Sequence, residues 1–448
     1  MTMNQPNRVT SPAATVDRLP TLLDSWPAPV TGTLADARER ALSLFPEIPL
    51  PHGKMEDWRH FSIADLLGDA YQPILGQAEI PVDQSIVTGI LPSEETLAEL
   101  VFLNGAYRPD WSRESTVTGV YAGSLAAAAR DPHLVPAVNG SLGTVLELRD
   151  PFACLNTMFL ADGAFVWIGR DTQQEKPVHV VFVHARPGGT VSFPRLLIHV
   201  GENANARVII SHVFAEPSVS SWDNVAGEVI LDAGARLELD ETAGVRGQTA
   251  RFLSLMAARV DRDARLTWRV FTLGGALVRR DSRVLLAAPG AEAHVSGLFV
   301  NSGKNMMDHP VRVRHTAPHG TSRITFKGVA LEESRSVYTG KVYVDREAQK
   351  TDSIQVNHNL VLSPDARVET RPQLEIYADD VRCTHGATAG PPPAEIVYYF
   401  RSRGISADRA RNILIRGFVE EISDQISTPS LRSRVSRVLA ERFGDHES

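Results

Sequence analysis

The sequence predicts a mainly β protein: a right-handed parallel β-helix core with small N-terminal and C-terminal helical regions. Three observations lead there. From about residue 145, short Val, Ile, Leu and Phe runs alternate with polar residues between small turns, as strands demand. Similar turns recur in that region, at Ala206-Arg207-Val208, Ala235-Arg236-Leu237, Ala264-Arg265-Leu266 and Ala291-Glu292-Ala293, spaced 29, 29 and 27 residues apart. After Pro391-Pro392-Pro393 the strand texture stops and helical periodicity replaces it. A repeat of this length suggests stacked coils, each burying its inner face only against its neighbours. Later turns at Ser322-Arg323-Ile324 and Ala366-Arg367-Val368 extend the series. On pattern alone, a β-sandwich with coincidental Ala-Arg turns is the alternative.

The elements follow in order. Residues 1–30 read as a flexible polar tail, and 31–144 as a helical or mixed N-terminal domain. There, Thr33 to Phe45 carries apolar residues at helical spacing behind a Thr cap. Ser124 to Arg130 reads as a short helix ended by Asp131-Pro132. The β-helix core spans 145–390 and a helical domain 391–448. In that last domain Ser406 caps a helix whose Ala410, Leu414, Ile415, Phe418, Val419 and Ile422 form a broad apolar band. Thr428 caps the next, with Pro429 at its first position and Gly444 past its end.

Composition narrows the function. Hydrophobic residues make up 43% and charged residues 22%, the balance of a chain that folds. A net charge of -7 argues against nucleic acid and anionic lipid as partners. The first thirty residues lack the basic start and apolar run of a secretory signal, and no stretch approaches the roughly 20 apolar residues that span a bilayer. These readings place the protein in the cytoplasm. Two cysteines, Cys154 and Cys383, exclude a disulfide framework and are expected as free thiols.

The segment most able to carry chemistry runs from Tyr377 to Gly390 and contains Cys383-Thr384-His385. On a strand, residues two apart share a face, so Cys383 and His385 project together. Thiolate and imidazole suit iron in clusters, zinc or copper(I). Two ligands leave such a site incomplete, so a metal role requires more, plausible from another subunit. His309, His315 and His319 read better as neutral histidines that satisfy local hydrogen bonds. Gly297 to Asn305 has five residues between its glycines where a phosphate loop needs four, and Asn305 stands where Ser or Thr must reach magnesium. ATP hydrolysis by this chain is rejected on that ground. Asp379-Asp380, read as half of a glycosidase site, places its carboxylates on opposite strand faces and suits a turn better.

Several motifs resemble the SufB/SufD family of iron-sulfur cluster assembly proteins, and more narrowly its SufD branch. They are Lys54-Met-Glu-Asp-Trp58-Arg, Val101-Phe-Leu-Asn-Gly105, Leu155-Asn156, Asp308 to Lys327, Asn357-His-Asn-Leu360, Glu369 to Glu375, Cys383-Thr-His-Gly-Ala-Thr388, Tyr399 to Gly404 and Gly417 to Glu420. The chain departs from the family at Pro391-Pro392-Pro393, where relatives carry a Gln-rich helical stretch. The resemblance implies a non-catalytic scaffold that pairs with a SufB paralogue and with a SufC ATPase docked on the C-terminal helices, for which Ile415, Phe418, Val419 and Ile422 are the candidate residues. It also implies that a transient iron-sulfur cluster or iron is held at the SufB-SufD interface, with Cys383 and His385 as the metal-binding candidates. Reduced flavin is a further cofactor the family admits, which no residue here specifies. The competing class is a stand-alone metal-dependent or carbohydrate-active β-helix enzyme.

Overall fold

The computed structural model describes residues 32–67, 71–74, 82–91, 93–185, 188–215, 221–244 and 250–443. The expected tail and the Gly444 helix stop lie outside these residues.

Two long sheets run the length of the core, and successive strands alternate between them. The first sheet runs from Ala164–Ile168 through Trp222–Leu231 and Met306–His315 to Arg367–Ile376. The second runs from Ala98–Leu103 through Arg236–Gly244 and Glu292–Asn301 to Arg382–Gly390. Neighbouring strands along both paths are parallel. The result is a β-solenoid of about seven turns, and not a sandwich. The second sheet starts well before residue 145, because Ala98–Leu103 pairs with Val178–Ala185.

The repeat has a backbone cause. Asn203, Gly234, Asp263, Gly290, His319 and Lys350 all adopt positive φ, between 56° and 73°, at the corner that leads into the second sheet. Asn, Asp and Gly tolerate that left-handed conformation better than other residues. Each corner is followed by a small or short residue, and these stack: Arg236, Arg265 and Glu292 donate backbone N–H to Ala204 O, Ala235 O and Ala264 O at 2.9, 2.8 and 2.9 Å. The stacked alanines are therefore 204, 235, 264 and 291. Ala206, taken as the first turn, instead lies inside a strand opposite Leu237, and Ser322 lies inside one opposite Ala293. Ala366 belongs to the first sheet's corner, since Arg367 N–H bonds to Ser334 O. The left-handed residue fixes the corner, and the residue directly after it stacks from coil to coil.

Among the described residues five α-helices lie N-terminal to the second strand of the first sheet: α1 (Thr33–Leu44), α2 (Ile63–Leu66), α3 (Leu125–Ala128), α4 (Val135–Ser141) and α5 (Pro151–Met158). Thr33 is the first residue of α1 and not its cap, since Gly32 occupies the cap position without a side-chain bond. Ser124 does cap α3, accepting from Ala127 N–H. Asn156 pins α5 to the first sheet by donating to Pro194 O (3.0 Å) and Asn224 O (2.7 Å). Beside it the buried Glu228 pairs with Arg195 and accepts the N–H groups of Gly143, Val145 and Leu146 at 2.8, 2.9 and 3.1 Å. A buried pair with its remaining lone pairs satisfied avoids the penalty of an uncompensated charge. Covered in this way, Trp222–Leu231 is buried at all 10 residues.

Three helices close the chain: α6 (Ala394–Ser402), absent from the sequence reading, α7 (Ala407–Ser423) and α8 (Pro429–Phe443). Ser406 caps α7 as expected, accepting from Arg409 N–H. Both α7 and α8 lie on the outer face of the second sheet. Ile415, Val419, Ile422, Leu431 and Leu439 join one apolar cluster with the sheet residues Phe271, Leu298, Val300 and Val329.

At Gly234 an added Cβ would strike the Asn203 side chain one coil away, besides the strain of φ +69°. Gly234→Ala should therefore lower unfolding free energy by about 1–2 kcal/mol in chemical denaturation. Gly140→Ala, in α4 and facing open space, should instead be neutral or stabilising by up to about 1 kcal/mol.

Candidate functional site at the open end of the solenoid

Among the described residues no coil covers the last one. Arg367–Ile376 and Arg382–Gly390 contain no buried residue, and each pairs along one side only. In-register stacking carries two inward ladders to this end: Ala293, Ser322, Ser353, Cys383 and Val295, Ile324, Gln355, His385. The members below the last coil are buried. Cys383 and His385 thus share the inward side of the terminal strand, at the mouth of the lumen. Cys383 packs against the lumenal apolar cluster, and burial pushes its thiol up. His385 is exposed and makes no hydrogen bond or ion pair to a described residue. The other cysteine, Cys154, is buried beneath α1, where its Sγ donates to Ala41 O and burial raises the thiol to about 12.

Among the described residues no three His, Cys, Asp or Glu side chains converge as a metal site. The mouth therefore offers a thiol and an imidazole, with room for ligands from elsewhere. One coil below lie polar groups that sequence reasoning missed. Gln355 and Tyr338 are wholly buried on opposite walls of the lumen, with the amide Nε2 aimed at the Tyr338 hydroxyl and the amide Oε1 left without a hydrogen bond. The available signal was Ser353-Ile-Gln-Val-Asn-His-Asn359, with a polar residue at every inward position.

Comparison with known proteins agrees with this architecture. The family model for the core domain of SufBD proteins of SUF-system FeS cluster assembly matches residues 182–418, and the model for the SufBD N-terminal region matches 26–180. An iron-sulfur cluster assembly SufBD family protein of Synechocystis is 29% identical over 92% of this chain and 93% of its own length. One from Mycobacterium leprae is 33% identical over 63% and 72%. The iron-sulfur cluster assembly protein SufD of Escherichia coli is 25% identical over 88% and 89%. The chain belongs to the SufBD family. It is an iron-sulfur cluster assembly protein with SufD-like relatives, and the stand-alone enzyme reading finds no support.

In this SufBD chain two further motifs act as joints. The segment containing Lys54 to Arg59 straps across the first sheet. Arg279 stacks 3.9 Å over Trp58, Asp57 pairs with Arg312 (3.2 Å), and Glu56 accepts from Arg371 and Gln373 of the last strand, both at 3.1 Å. From the Asn357-His-Asn-Leu360 motif, His358 Nδ1 bonds the Thr388 hydroxyl (2.7 Å) and Asn359 donates to Thr388 O (3.1 Å). These bonds hold the strand that carries Cys383 and His385.

Other candidates fall elsewhere. His309 Nε2 bonds Thr272 (3.0 Å) and His315 Nε2 bonds Ser322 (2.9 Å), both inside the lumen and away from the mouth; His319 is a left-handed corner. Gly297 to Asn305 is strand and turn leading to another strand, not a helix, and its Lys304 pairs with Glu333. Asp380 lies in the turn before the terminal strand and pairs with Lys350. The band expected to lie open for an ATPase is used by the chain itself: Ile415, Val419 and Ile422 are 5%, 1% and 0% exposed against the second sheet. Phe418 is half-buried there, under Lys327, whose Nζ donates to Phe418 O. The sheet's outer face is apolar enough to absorb a band too wide for two helices.

Burial holds the lumenal imidazoles of His212, His309 and His315 down, to about 4, 3 and 4. Unfolded, each titrates near 6.5, so the unfolded chain binds more protons below that pH and stability falls as pH falls. Denaturation midpoints should drop steadily from pH 6.5 towards pH 4, each histidine contributing about 1.4 kcal/mol per pH unit. His309→Gln should flatten that dependence.

Proposed function

We propose that this chain is a non-catalytic scaffold subunit that sets its open coil against a SufB-type paralogue and works with a SufC-type ATPase. The observation that carries the reading is the uncovered terminal coil with Cys383 and His385 on its inward face. Two unpaired strand edges present rows of N–H and C=O groups, which isolated proteins normally cover or blunt. Ile376 and Tyr377, 39% and 52% exposed beside them, add apolar surface for a stacking partner. A paralogue's coil placed there would enclose the mouth and supply the ligands that Cys383 and His385 lack. The cargo of such a chamber is iron and sulfide, received as a nascent cluster and later released. Reduced flavin, as the source of electrons, stays within the proposal at the level of the complex. Nucleic acid has no place in it, given the net charge of -7. No described helix is long and apolar enough to cross a membrane, and we place the complex in the cytoplasm.

ATPase docking moves, in this reading, to the surface the C-terminal helices leave free. Ile396, Tyr398 and Tyr399 on α6 and Ile413 on α7 are 41%, 73%, 57% and 41% exposed. Tyr398→Asp should abolish copurification of the ATPase without lowering thermal stability, since a charge in an apolar contact costs several kcal/mol, enough to dissolve a micromolar complex. Val419→Asp should instead destabilise the chain itself. Undiminished copurification with Tyr398→Asp would count against this docking face.

For the mouth, the chain is coexpressed with SufB-type and SufC-type partners, and iron and acid-labile sulfide are measured per mole of intact complex. His385→Ala should lower both while association persists, because imidazole can ligate iron and a methyl group cannot. Cys383→Ala should have an equal or smaller effect if the partner supplies the main thiolate. A normal ratio in His385→Ala would remove the metal-binding role.

A further inference from the structure

Beneath the mouth the fold leaves a buried amide oxygen unpaired. Gln355 is wholly buried; its Nε2 is aimed at the Tyr338 hydroxyl, and its Oε1 completes no hydrogen bond. Buried polar groups are normally paired, so an orphan oxygen asks for a partner. Its Nε2 faces the opposite wall: a Cβ built on Gly340 would strike that atom first, and the Tyr338 hydroxyl next. Burial disfavours ionisation of Tyr338, which therefore stays a hydroxyl able to receive the amide N–H. With Nε2 turned that way, Oε1 is the atom left for the other direction. The next position along the same ladder is His385, paired in register with Gln355, about 4.8 Å away by strand spacing. His385 itself has no partner among the described residues.

We infer that Gln355 is a positioning residue for His385. When the His385 ring turns down onto the ladder, Gln355 Oε1 accepts the hydrogen of one ring nitrogen and leaves the lone pair of the other facing out of the mouth. A neutral imidazole has one N–H and one lone pair, and the bond made by the first decides which nitrogen is available as a ligand. Gln355 thereby presets the tautomer, so that no proton has to leave the metal-facing nitrogen when iron arrives. Gly340 matters for the same reason, since any side chain there would displace the amide. The purpose assigned to this bond rests on the iron-binding reading of His385; the placement of Gln355 directly beneath it does not.

The test reads the tautomer directly, by side-chain proton–nitrogen correlation spectra of the isolated full-length chain at pH 8, with His385→Ala assigning the signal. One tautomer should dominate by about tenfold, a difference of about 1.4 kcal/mol. Gln355→Leu, whose ladder neighbour Ile324 is also aliphatic, should bring the ratio several-fold towards a mixture. Gln355→Glu keeps an acceptor in place and should retain one tautomer. In the coexpressed complex Gln355→Leu should lose several-fold of its iron with subunit recovery unchanged. A tautomer ratio unchanged in Gln355→Leu overturns the inference, and so does a mixture in the wild type. A shifted ratio with normal iron in both Gln355→Leu and His385→Ala upholds the hydrogen bond and overturns the iron reading instead.

Discussion

A coil of a parallel solenoid cannot bury its own inner face; only the next coil can do so. The constraint is met differently at the two ends. At the start, antiparallel strands terminate both sheets: Ala106–Tyr107 folds back on Ala98–Leu103, and Val120–Ser124 pairs antiparallel with Ala164–Ile168. Helices α3 and α4 join the apolar cluster around that end. At the other end the last strands find nothing within the described chain, and the ladders that are buried inside finish as a thiol and an imidazole at the mouth. The C-terminal helices, which were free to cap that end, lie along the flank of the second sheet instead.

In-register stacking also sets the electrostatics of the flanks. It places equivalent positions directly over one another, so that Arg283, Arg312 and Lys341 fall in one column of adjacent strands. Like charges directly opposite are destabilising unless carboxylates are interleaved. Asp281 lies beside the column and is shared by Arg283 (2.9 Å) and Arg312, while Asp150 and Asp57 reach in from the N-terminal region. Burial alone would raise the Asp281 carboxyl, yet Arg283, Arg312 and Arg279 hold it well below the usual carboxylate range. The strap of residues 54 to 61 is thus more than a family signature. It neutralises a column that the repeat imposes, and through Glu56 it reaches the edge strand.

Coil stacking was legible in the sequence because it leaves a periodic trace, although the reading took Ala206 where Ala204 is the stacked corner residue. The left-handed corner is occupied variously by Asn, Gly, Asp, His and Lys, so its own identity does not repeat. Cys383 and His385 on one strand face followed from a period of two. What could not be read was which surface the α7 band covers. An amphipathic stripe specifies that a helix is buried on one side, and says nothing about whether its own sheet or another protein buries it. Gln355 stayed hidden for a related reason: only the register between strands places it below His385, and register is a property of two segments far apart in sequence.

The terminal strand is also joined to the candidate docking helix with little slack. Gly390 ends the strand, Ala394 begins α6, and the residues between are Pro391, Pro392 and Pro393. Proline fixes φ and restricts the residue before it, so three in succession make a stiff spacer and not a flexible tether. A flexible linker would let a partner bound to Tyr398 and Tyr399 move without consequence for the coil. Here a displacement of α6 has few soft torsions in which to dissipate before it reaches the strand bearing His385 and Cys383. That strand is the least supported in the core, paired on one side only and held by the Thr388 bonds of His358 and Asn359. The three prolines therefore sit where stiffness is of use, between the exposed face of α6 and the open mouth.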